Sequence, residues 1–392
     1  MKPLAPDAQD WLASRTLRNS PHAKRNTRLD DSVVGYFREV AEKLGNPHKR
    51  IPIVHVAGSK GKGTTAYLVA WLLEASGIRA GLSMSPHLTN ERERALVSLK
   101  VPSSEAFSDA ILEVARACDA VAGVPTYSGV MSLAALVLFN KMNCRVAVME
   151  CGLGGARDAT GFLGAGVCVL TGLEREHTVQ LGETEEEIAR EKAAIAGKGA
   201  VLVSPVFPRG VREAVVQTVS NSDAILREVS CPADPRARSE CLARSAAAAL
   251  GETADLRVDC SADLGDVVVP CRSDLRRIGG GNVLFDGAHT PASLKALAAV
   301  VKTRFPAPPR LIFGVTPPRD VMALIAPLAA VTSEQFVVSG FEGTPKTTSI
   351  PSIRLSEAAD MIRAGGDYVV TGSFHLAGEL MMLAGITPFP EM

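Results

Sequence analysis

The densest group of chemically capable residues is His55-Val56-Ala57-Gly58-Ser59-Lys60-Gly61-Lys62-Gly63-Thr64-Thr65. A largely apolar, β-branched run, Ile51 to Ala57, leads into the glycines, and apolar residues at helical spacing follow from Tyr67 to Ala75. Strand, glycine turn and helix in that order make a phosphate cradle. Glycines let backbone N–H groups converge on phosphate oxygens, and the helix N-terminus adds the positive end of its dipole. Lys62 is placed to reach the outer phosphates, and Thr64 or Thr65 to offer a hydroxyl to magnesium. Gly63 separates the lysine from the first threonine, so the string departs from GxxxxGK[ST]. A glycine-rich turn with no ligand would read the same way, but the lysine and the strand–loop–helix setting favour phosphate.

Three further segments carry possible metal donors, each at or just beyond the end of an apolar run. Ser85-Pro86-His87-Leu88 follows Ile78 to Met84, and Ser85 is either a hard-oxygen ligand or a polar turn residue. Glu150 ends Val146-Ala147-Val148-Met149 and precedes Gly152-Leu153-Gly154-Gly155. A carboxylate there needs a partner, because unpaired burial is costly; a salt bridge and a ligand both satisfy that need. Glu176-His177-Thr178 follows Gly166 to Thr171, and a single histidine is as readily structural as catalytic. A fourth segment, Glu183 to Lys192, opens with Thr184 and Glu187 at capping-box spacing, which predicts a helix start. Lys192 on that helix has Ile188, Ala189, Ile195 and Ala196 at the positions where a pairing carboxylate would stand. Further on, Phe285-Asp286-Gly287-Ala288-His289-Thr290-Pro291 puts Asp and His at another strand–helix junction, where helix capping explains them equally well.

The elements that must hold these residues alternate between strand-like and helical patterns. Arg145 to Cys151 and Gly166 to Thr171 join the earlier runs as strands, and Val130 to Phe139 reads as a buried helix too short to span a bilayer. Strands separated by helices predict βαβ units and a parallel sheet, whose C-terminal strand ends share one ligand-binding edge. Ser204 to Asp263, rich in Ala, Ser, Arg and Pro, gives no clear elements. A second alternation begins near Asn282: strands at Val283 to Asp286, Arg310 to Val315, Gln335 to Ser339 and Asp367 to Thr371, with helices at Pro291 to Arg304, Asp320 to Ala329 and Phe374 to Ala384. The join is expected in Leu275 to Gly281, where three glycines would make a flexible joint. A length of 392 residues fits two domains, expected as 1–276 and 277–392.

Lys plus Arg and Asp plus Glu are 42 each, a balance that disfavours non-specific binding to nucleic acid or anionic membrane. The basic cluster Arg15, Arg18, Lys24, Arg25 and Arg28 reads as a solvated face. The N-terminal thirty residues hold no apolar signal core. The eight cysteines show no CxxC spacing and are expected to be buried thiols in a reducing cytoplasm.

Leu44-Gly45-Asn46-Pro47 followed by Ile53 to Thr65 resembles the signature of the folylpolyglutamate synthase/dihydrofolate synthase family of the Mur ligase superfamily, with Lys60 in place of an asparagine. Ser85-Pro86-His87, Glu150-Cys151-Gly152-Leu153-Gly154-Gly155, His177-Thr178 with Leu181-Gly182, and Arg190-Glu191-Lys192-Ala193 resemble further motifs of that family, in its order. Asp286 to Pro291 is similar to its DGAHNP, Pro270-Cys271-Arg272 to its PGR, and Val370 to Ser373 to its closing VTGS. The resemblance implies a P-loop-containing Mur-ligase-type ATPase domain with a parallel-rich sheet, then a smaller Rossmann-like α/β domain. It implies catalytic roles for Lys62, Lys192 and His177. It implies nucleotide contacts from Gly58, Ser59, Lys60, Gly61, Lys62, Gly63, Thr64, Thr65, Arg272, Asp286 and His289, the last two reaching across the interdomain cleft. It implies magnesium, as one ion or two, at Thr64, Ser85, Glu150 and His177, and a carbamylated Lys192. The activity implied is ATP-dependent joining of L-glutamate to a folate or dihydropteroate carboxylate through an acyl phosphate, in a cytoplasmic monomer without nucleic-acid or membrane partners.

The chain departs from the family pattern at several positions. Tyr127-Ser128-Gly129 replaces an aromatic pair followed by a glutamate, Ala156 replaces an arginine, Gly161 an asparagine, and Ser245 an adenine-contacting asparagine; Glu174 and Glu176 stand where glycine and aspartate are usual. These leave open two alternatives: a related ligase with a non-folate acceptor, and a nucleotide-binding protein that has lost ligase activity. The joint presence of Ser85, Glu150, His177 and Lys192 counts against the second.

Overall fold

The computed structural model describes residues 2–16, 28–315, 320–339, 341 and 349–392. Arg18, Lys24 and Arg25 of the basic cluster lie outside the described residues. The chain forms two compact units, Met1–Ser85 with Glu91–Val267 and Glu391–Met392, and Pro86–Asn90 with Val268–Pro390.

In the first unit the described strands are β1 (Ile53–Ala57), β2 (Ala80–Ser83), β3 (Ala95–Val97), β4 (Val146–Glu150), β5 (Val167–Leu170), β6 (Val201–Pro205) and β7 (Ile225–Val229). They form one sheet in the order β3-β2-β4-β1-β5-β6-β7, parallel except for the β2–β3 pair. Continuous apolar strands and βα alternation are what a parallel sheet covered on both faces requires. Ile53, Ala57, Ala147, Met149, Cys168 and Leu170 join one core with the helices Ser104–Asp119, Tyr127–Lys141 and Arg209–Asn221. The intervening Val54, Val56, Val148 and Val169 are equally buried. Helices Lys62–Ala75 and Pro235–Ala254 lie against each other and against the sheet.

The stretch left without elements between Ser204 and Asp263 holds a helix, β7 and the 20-residue helix Pro235–Ala254. Strand β7 is an edge strand, half exposed, so its sequence lacks a buried apolar run. The long helix buries alanines and two leucines, a face with little hydrophobic contrast.

The second unit is a six-stranded sheet among the described residues, ordered β12-β11-β10-β13-β9-β8 from β8 (Asp274–Ile278), β9 (Gly281–Phe285), β10 (Arg310–Phe313), β11 (Gln335–Val338), β12 (Ser352–Ile353) and β13 (Tyr368–Thr371). All pairs are parallel but β8–β9. The flexible joint expected at Leu275 to Gly281 is instead this antiparallel hairpin. Ile278 pairs with Gly281, and Gly279 and Gly280 both adopt positive φ, 56° and 87°, as a two-residue primed turn demands. The division between units therefore falls earlier, at Val267/Val268. No described helix is long and apolar enough to cross a membrane.

Candidate active site

Register brings the sequence motifs of the first unit to one sheet edge. Val56 lies beside Glu150 and Ala57 beside Leu170, so the loop after β1, Glu150 and Thr171 emerge together. The loop must be glycine where it turns. A Cβ on Gly58, at φ +143°, would sit 2.0 Å from Thr171 Oγ1. Gly61, at φ 86°, caps the helix Lys62–Ala75. Thr171 Oγ1 donates to the Lys60 carbonyl at 2.6 Å, and Ser59 N donates to the Gly172 carbonyl at 2.6 Å. The loop is thus held by its neighbouring strand while its helix end stays open. Thr64 is half-buried; Thr65 is buried and its Oγ1 has no partner among the described residues.

Two lysines meet at this loop. Lys62 Nζ donates to the Gly58 carbonyl at 2.9 Å, and Lys192 Nζ donates to the same oxygen at 3.0 Å. Lys192 is 2% exposed. Burial, then the nearby Lys62 charge, pushes its pKa down from the ordinary lysine value, against the pull of Glu176. The nearest carboxylate is Glu176, 3.5 Å from Lys192 Nζ and 3.8 Å from Lys60 Nζ. The sequence alone marks Glu176 as the neighbour of His177 and as a substitution, not as the partner of Lys192. Its position one residue before His177 was the available signal. His177 itself sits at φ 47° as the cap of a single turn, Thr178–Leu181. Burial lowers its pKa; Lys192, Lys62 and Lys60 add to the lowering and Glu176 opposes it.

Glu150 is also buried, and its Oε2 accepts from Ser85 N at 2.7 Å. It borders a cavity of about 20 Å³ lined also by Ser83, Ser85, Arg94, Ser128 and Asp158. Among the described residues, no three His, Cys, Asp or Glu side chains gather as a cation site; the expected set has two such residues plus hydroxyls.

The helix Glu185–Ala193 packs closely here because Gly155 has no side chain in its way. A Cβ on Gly155 would lie 2.3 Å from the Glu191 carbonyl and 2.7 Å from Lys192 Cα. The predicted cap holds: Thr184 accepts from Glu187 N at 3.2 Å. We predict that Gly155→Ala forces the Lys192 backbone away, costs about 1–3 kcal/mol as overpacking does, and lowers catalytic rate as well as Tm. Unchanged melting and turnover would refute this account of the glycine.

A buried chain that sequence reasoning passed over supports the same loop. His55 Nε2 is 2.9 Å from Thr160 Oγ1, which donates to Asp158 Oδ1 at 2.6 Å; Asp158 Oδ2 accepts from Leu153 N at 2.9 Å. His55 lies within β1 with its side chain fully enclosed, and burial pushes its pKa down from 6.5 to about 4. The unfolded chain takes up a proton there below pH 6.5 while the folded chain does not. Stability is therefore lost as pH falls from 6.5 towards 4, by roughly 3 kcal/mol. Urea unfolding at pH 7 and pH 4 should show this loss, and His55→Gln should show less of it; equal slopes would count against it.

In the second unit, β8, β9 and the helices Pro291–Arg304 and Phe374–Leu383 gather Arg272, Asp286 and His289. Asp286 Oδ2 accepts from Ser273 N at 2.7 Å and Oδ1 from Ala288 N at 2.8 Å. Burial raises its pKa against those bonds and the Arg272 charge. His289 Nδ1 lies 2.7 Å from the Gly287 carbonyl, and Thr290 forms a capping box with Ser293. The Arg272 guanidinium stacks on Phe374, 4.8 Å from its centroid.

Two of the departures have physical reasons. A Cβ at Gly129 would meet the Phe37 ring at 2.2 Å, and one at Gly161 would meet the Ala156 carbonyl at 1.9 Å. The aromatic ring and the tightened turn occupy the space that the larger family residues would need.

No protein-family model matches the chain. A probable bifunctional folylpolyglutamate synthase/dihydropteroate synthase of Haloferax volcanii is 39% identical over 200 residues, 48% of this chain and 23% of that protein. A namesake from Halobacterium salinarum is 40% identical over 167 residues, 41% and 20% of the two chains. The match thus spans less than a quarter of the length of these two relatives. The dihydrofolate synthase/folylpolyglutamate synthase of Escherichia coli is 27% identical over 383 residues, 87% of this chain and 89% of that one. Among solved structures, E. coli FolC in complex with DHPP and ADP has a TM-score of 0.80 at 24% identity, covering 97% of this chain and 99% of that one. The Yersinia pestis synthase complexed with AMPPNP and Mn ion has a TM-score of 0.78 at 22% identity, with the same coverage. These structures share this chain's α/β fold along nearly its whole length. The alignment with the E. coli synthase runs almost end to end, on one fold and with the strand-end motifs in the same order, so this chain is similar along nearly its whole length to a dihydrofolate synthase/folylpolyglutamate synthase.

Proposed function

We propose that the chain is an ATP-dependent ligase that joins L-glutamate to a folate or dihydropteroate carboxylate through an acyl phosphate. The observation that carries this reading is the convergence of Lys62 and Lys192 on one carbonyl oxygen, that of Gly58. Two ammonium groups so close, one of them buried, repel each other. An anion at the helix N-terminus relieves that repulsion, and a triphosphate is the anion a glycine cradle is shaped for.

Joining a carboxylate to an amine in water is uphill, so the carboxylate is first phosphorylated by ATP. Lys62 offsets charge on the transferring γ-phosphoryl group, and the N–H groups of Gly61 to Thr64 orient it. The amine of glutamate then attacks the acyl phosphate, releasing phosphate and leaving an amide. Lys192, whose lowered proton affinity raises the share of neutral amine, takes up CO2 as a carbamate and releases a proton; the resulting anion carries the charge opposite to that of Lys62.

The donor set fits magnesium. Ser85, Glu150 and Thr64 offer hard oxygens and His177 one imidazole kept neutral by its lowered pKa, a set suited to Mg²⁺ or Mn²⁺ rather than Zn²⁺. The buried, unpartnered Thr65 hydroxyl is a further polar group at this end of the helix. When bound, one or two such ions supply charge neutralisation to the phosphates. The partners on this reading are small molecules met in the cytoplasm by a monomer.

A second acceptor class is favoured by one observation: Phe37 fills the place of the family's acidic residue at Gly129. The test is steady-state ADP release with glutamate fixed and the acceptor varied among dihydropteroate, tetrahydrofolate and non-pterin acids. Stimulation by a pterin acceptor supports the folate reading. Stimulation only by a non-pterin acid replaces it with a related amide ligase, and no glutamate-dependent release with any acid overturns the ligase.

A further inference from the structure

Outside the site described, the first unit holds a pair of thiols that no mechanistic step uses. Cys231 follows β7 and precedes the cap of helix Pro235–Ala254; Cys241 lies in that helix, near its second turn. Their sulfurs are 3.0 Å apart, and both residues are half-buried. Unbonded carbon pairs rest at about 3.5–4.0 Å and sulfur is larger, so the two sulfurs are pressed together. A bond at about 2.05 Å needs only a small further approach. Of the other described cysteines, Cys168 and Cys260 contact carbonyls, Cys271 contacts the Met381 sulfur, and Cys118, Cys144 and Cys151 are buried.

We propose that Cys231 and Cys241 are an oxidisable dithiol that closes to a disulfide on meeting a low-molecular-weight disulfide, and that the bond braces the first turns of helix Pro235–Ala254. The chemistry balances as thiol–disulfide exchange. One cysteine thiolate attacks a sulfur of the small disulfide and displaces a thiolate. The second cysteine sulfur then attacks the first, forming the internal bond and displacing the other small thiolate. The two cysteines lose two electrons and two protons; the small disulfide gains both and leaves as two thiols. Burial, then the hydrogen bond with Cys241, pushes the Cys231 thiol up to about 12. Cys231 is therefore a thiol rather than a thiolate at neutral pH.

What the bond would hold matters because of where the helix lies. Asp234 caps it, accepting from Ala237 N at 2.8 Å, and Ser239 lies buried on this helix, between the two cysteines in sequence. The Ser239 hydroxyl would be 3.3 Å from a Cβ on Gly61, and Arg238 would be 3.8 Å from one on Gly172. Bracing Cys231 to Cys241 fixes the turn that carries Arg238 and Ser239.

The test uses the purified full chain incubated with glutathione disulfide. The expected product has lost the mass of two hydrogens, yields one cross-linked peptide joining Cys231 to Cys241, and shows at least several-fold slower amide exchange across 231–241. Cys231→Ser and Cys241→Ser should instead each retain a glutathione on the remaining cysteine. Wild-type protein that does not react, that keeps bound glutathione without losing the two hydrogens, or that links either cysteine to Cys260 would overturn the proposal. Cross-linking with unchanged exchange would overturn the bracing.

Discussion

Lys62→Ala is expected to cut glutamate-dependent ADP release by about 10²–10³-fold, the effect of removing one preorganised charge-stabilising donor, while far-UV circular dichroism stays unchanged. The side chain leaves the helix's first position and, among the described residues, bonds to the backbone carbonyls of Gly58 and Ser59, at 2.9 and 3.5 Å. Lys62 is half-buried and lies outside the hydrophobic core, so its loss removes charge without opening a core cavity. Removing Lys62 also takes away the second-largest cause of the lowered Lys192 pKa. The variant should therefore hold the Lys192 proton more tightly. Near wild-type turnover in Lys62→Ala would refute the assignment of this loop to phosphate transfer.

The second large effect is expected at Lys192. Protein equilibrated with ¹³C-labelled bicarbonate should show a carbamate resonance that disappears in Lys192→Met, and that variant should lose about 10²-fold or more of its turnover. A wild-type spectrum without the resonance would exclude carbamylation. The free amine also has a pH signature. Its folded pKa lies below the ordinary value of 10.5, so between the two values the unfolded chain carries the proton and the folded chain does not. Stability of carbamate-free protein therefore rises with pH through that window. Lys192→Met should lack this part of the rise.

Much of the site was legible because its residues sit where strands end. Gly58, Glu150 and Thr171 follow strands whose apolar runs are unmistakable in the sequence, and a parallel sheet leaves such ends on one edge. Lys192 was legible for a different reason: the positions that would have held a surface partner are aliphatic. Glu176 was less legible as the partner of Lys192 because the two are brought together by the close approach of a helix to Gly155, which is a matter of absent side chains. His55 was hidden inside a strand, where its burial depends on Thr160 and Asp158, more than a hundred residues later. The hairpin at Gly279-Gly280 was misread because a flexible joint and a primed turn call for the same glycines. Helix Pro235–Ala254 was missed because alanine satisfies the inside and outside of a helix alike.

The placement of β1 has a consequence for how this protein is made. Its sheet neighbours are β4 and β5, which begin at Val146 and Val167. At about 5–20 residues per second, a growing chain carries the phosphate-loop strand through several seconds of synthesis before either partner exists. During that interval Ile53 to Ala57 is an apolar strand with two vacant edges, which invites pairing with other chains. Residues 58–61 of the loop separate it from a helix that can form locally at once. The glycine-rich loop is thus begun early in translation and completed late, when Thr171 emerges to hold the Lys60 carbonyl.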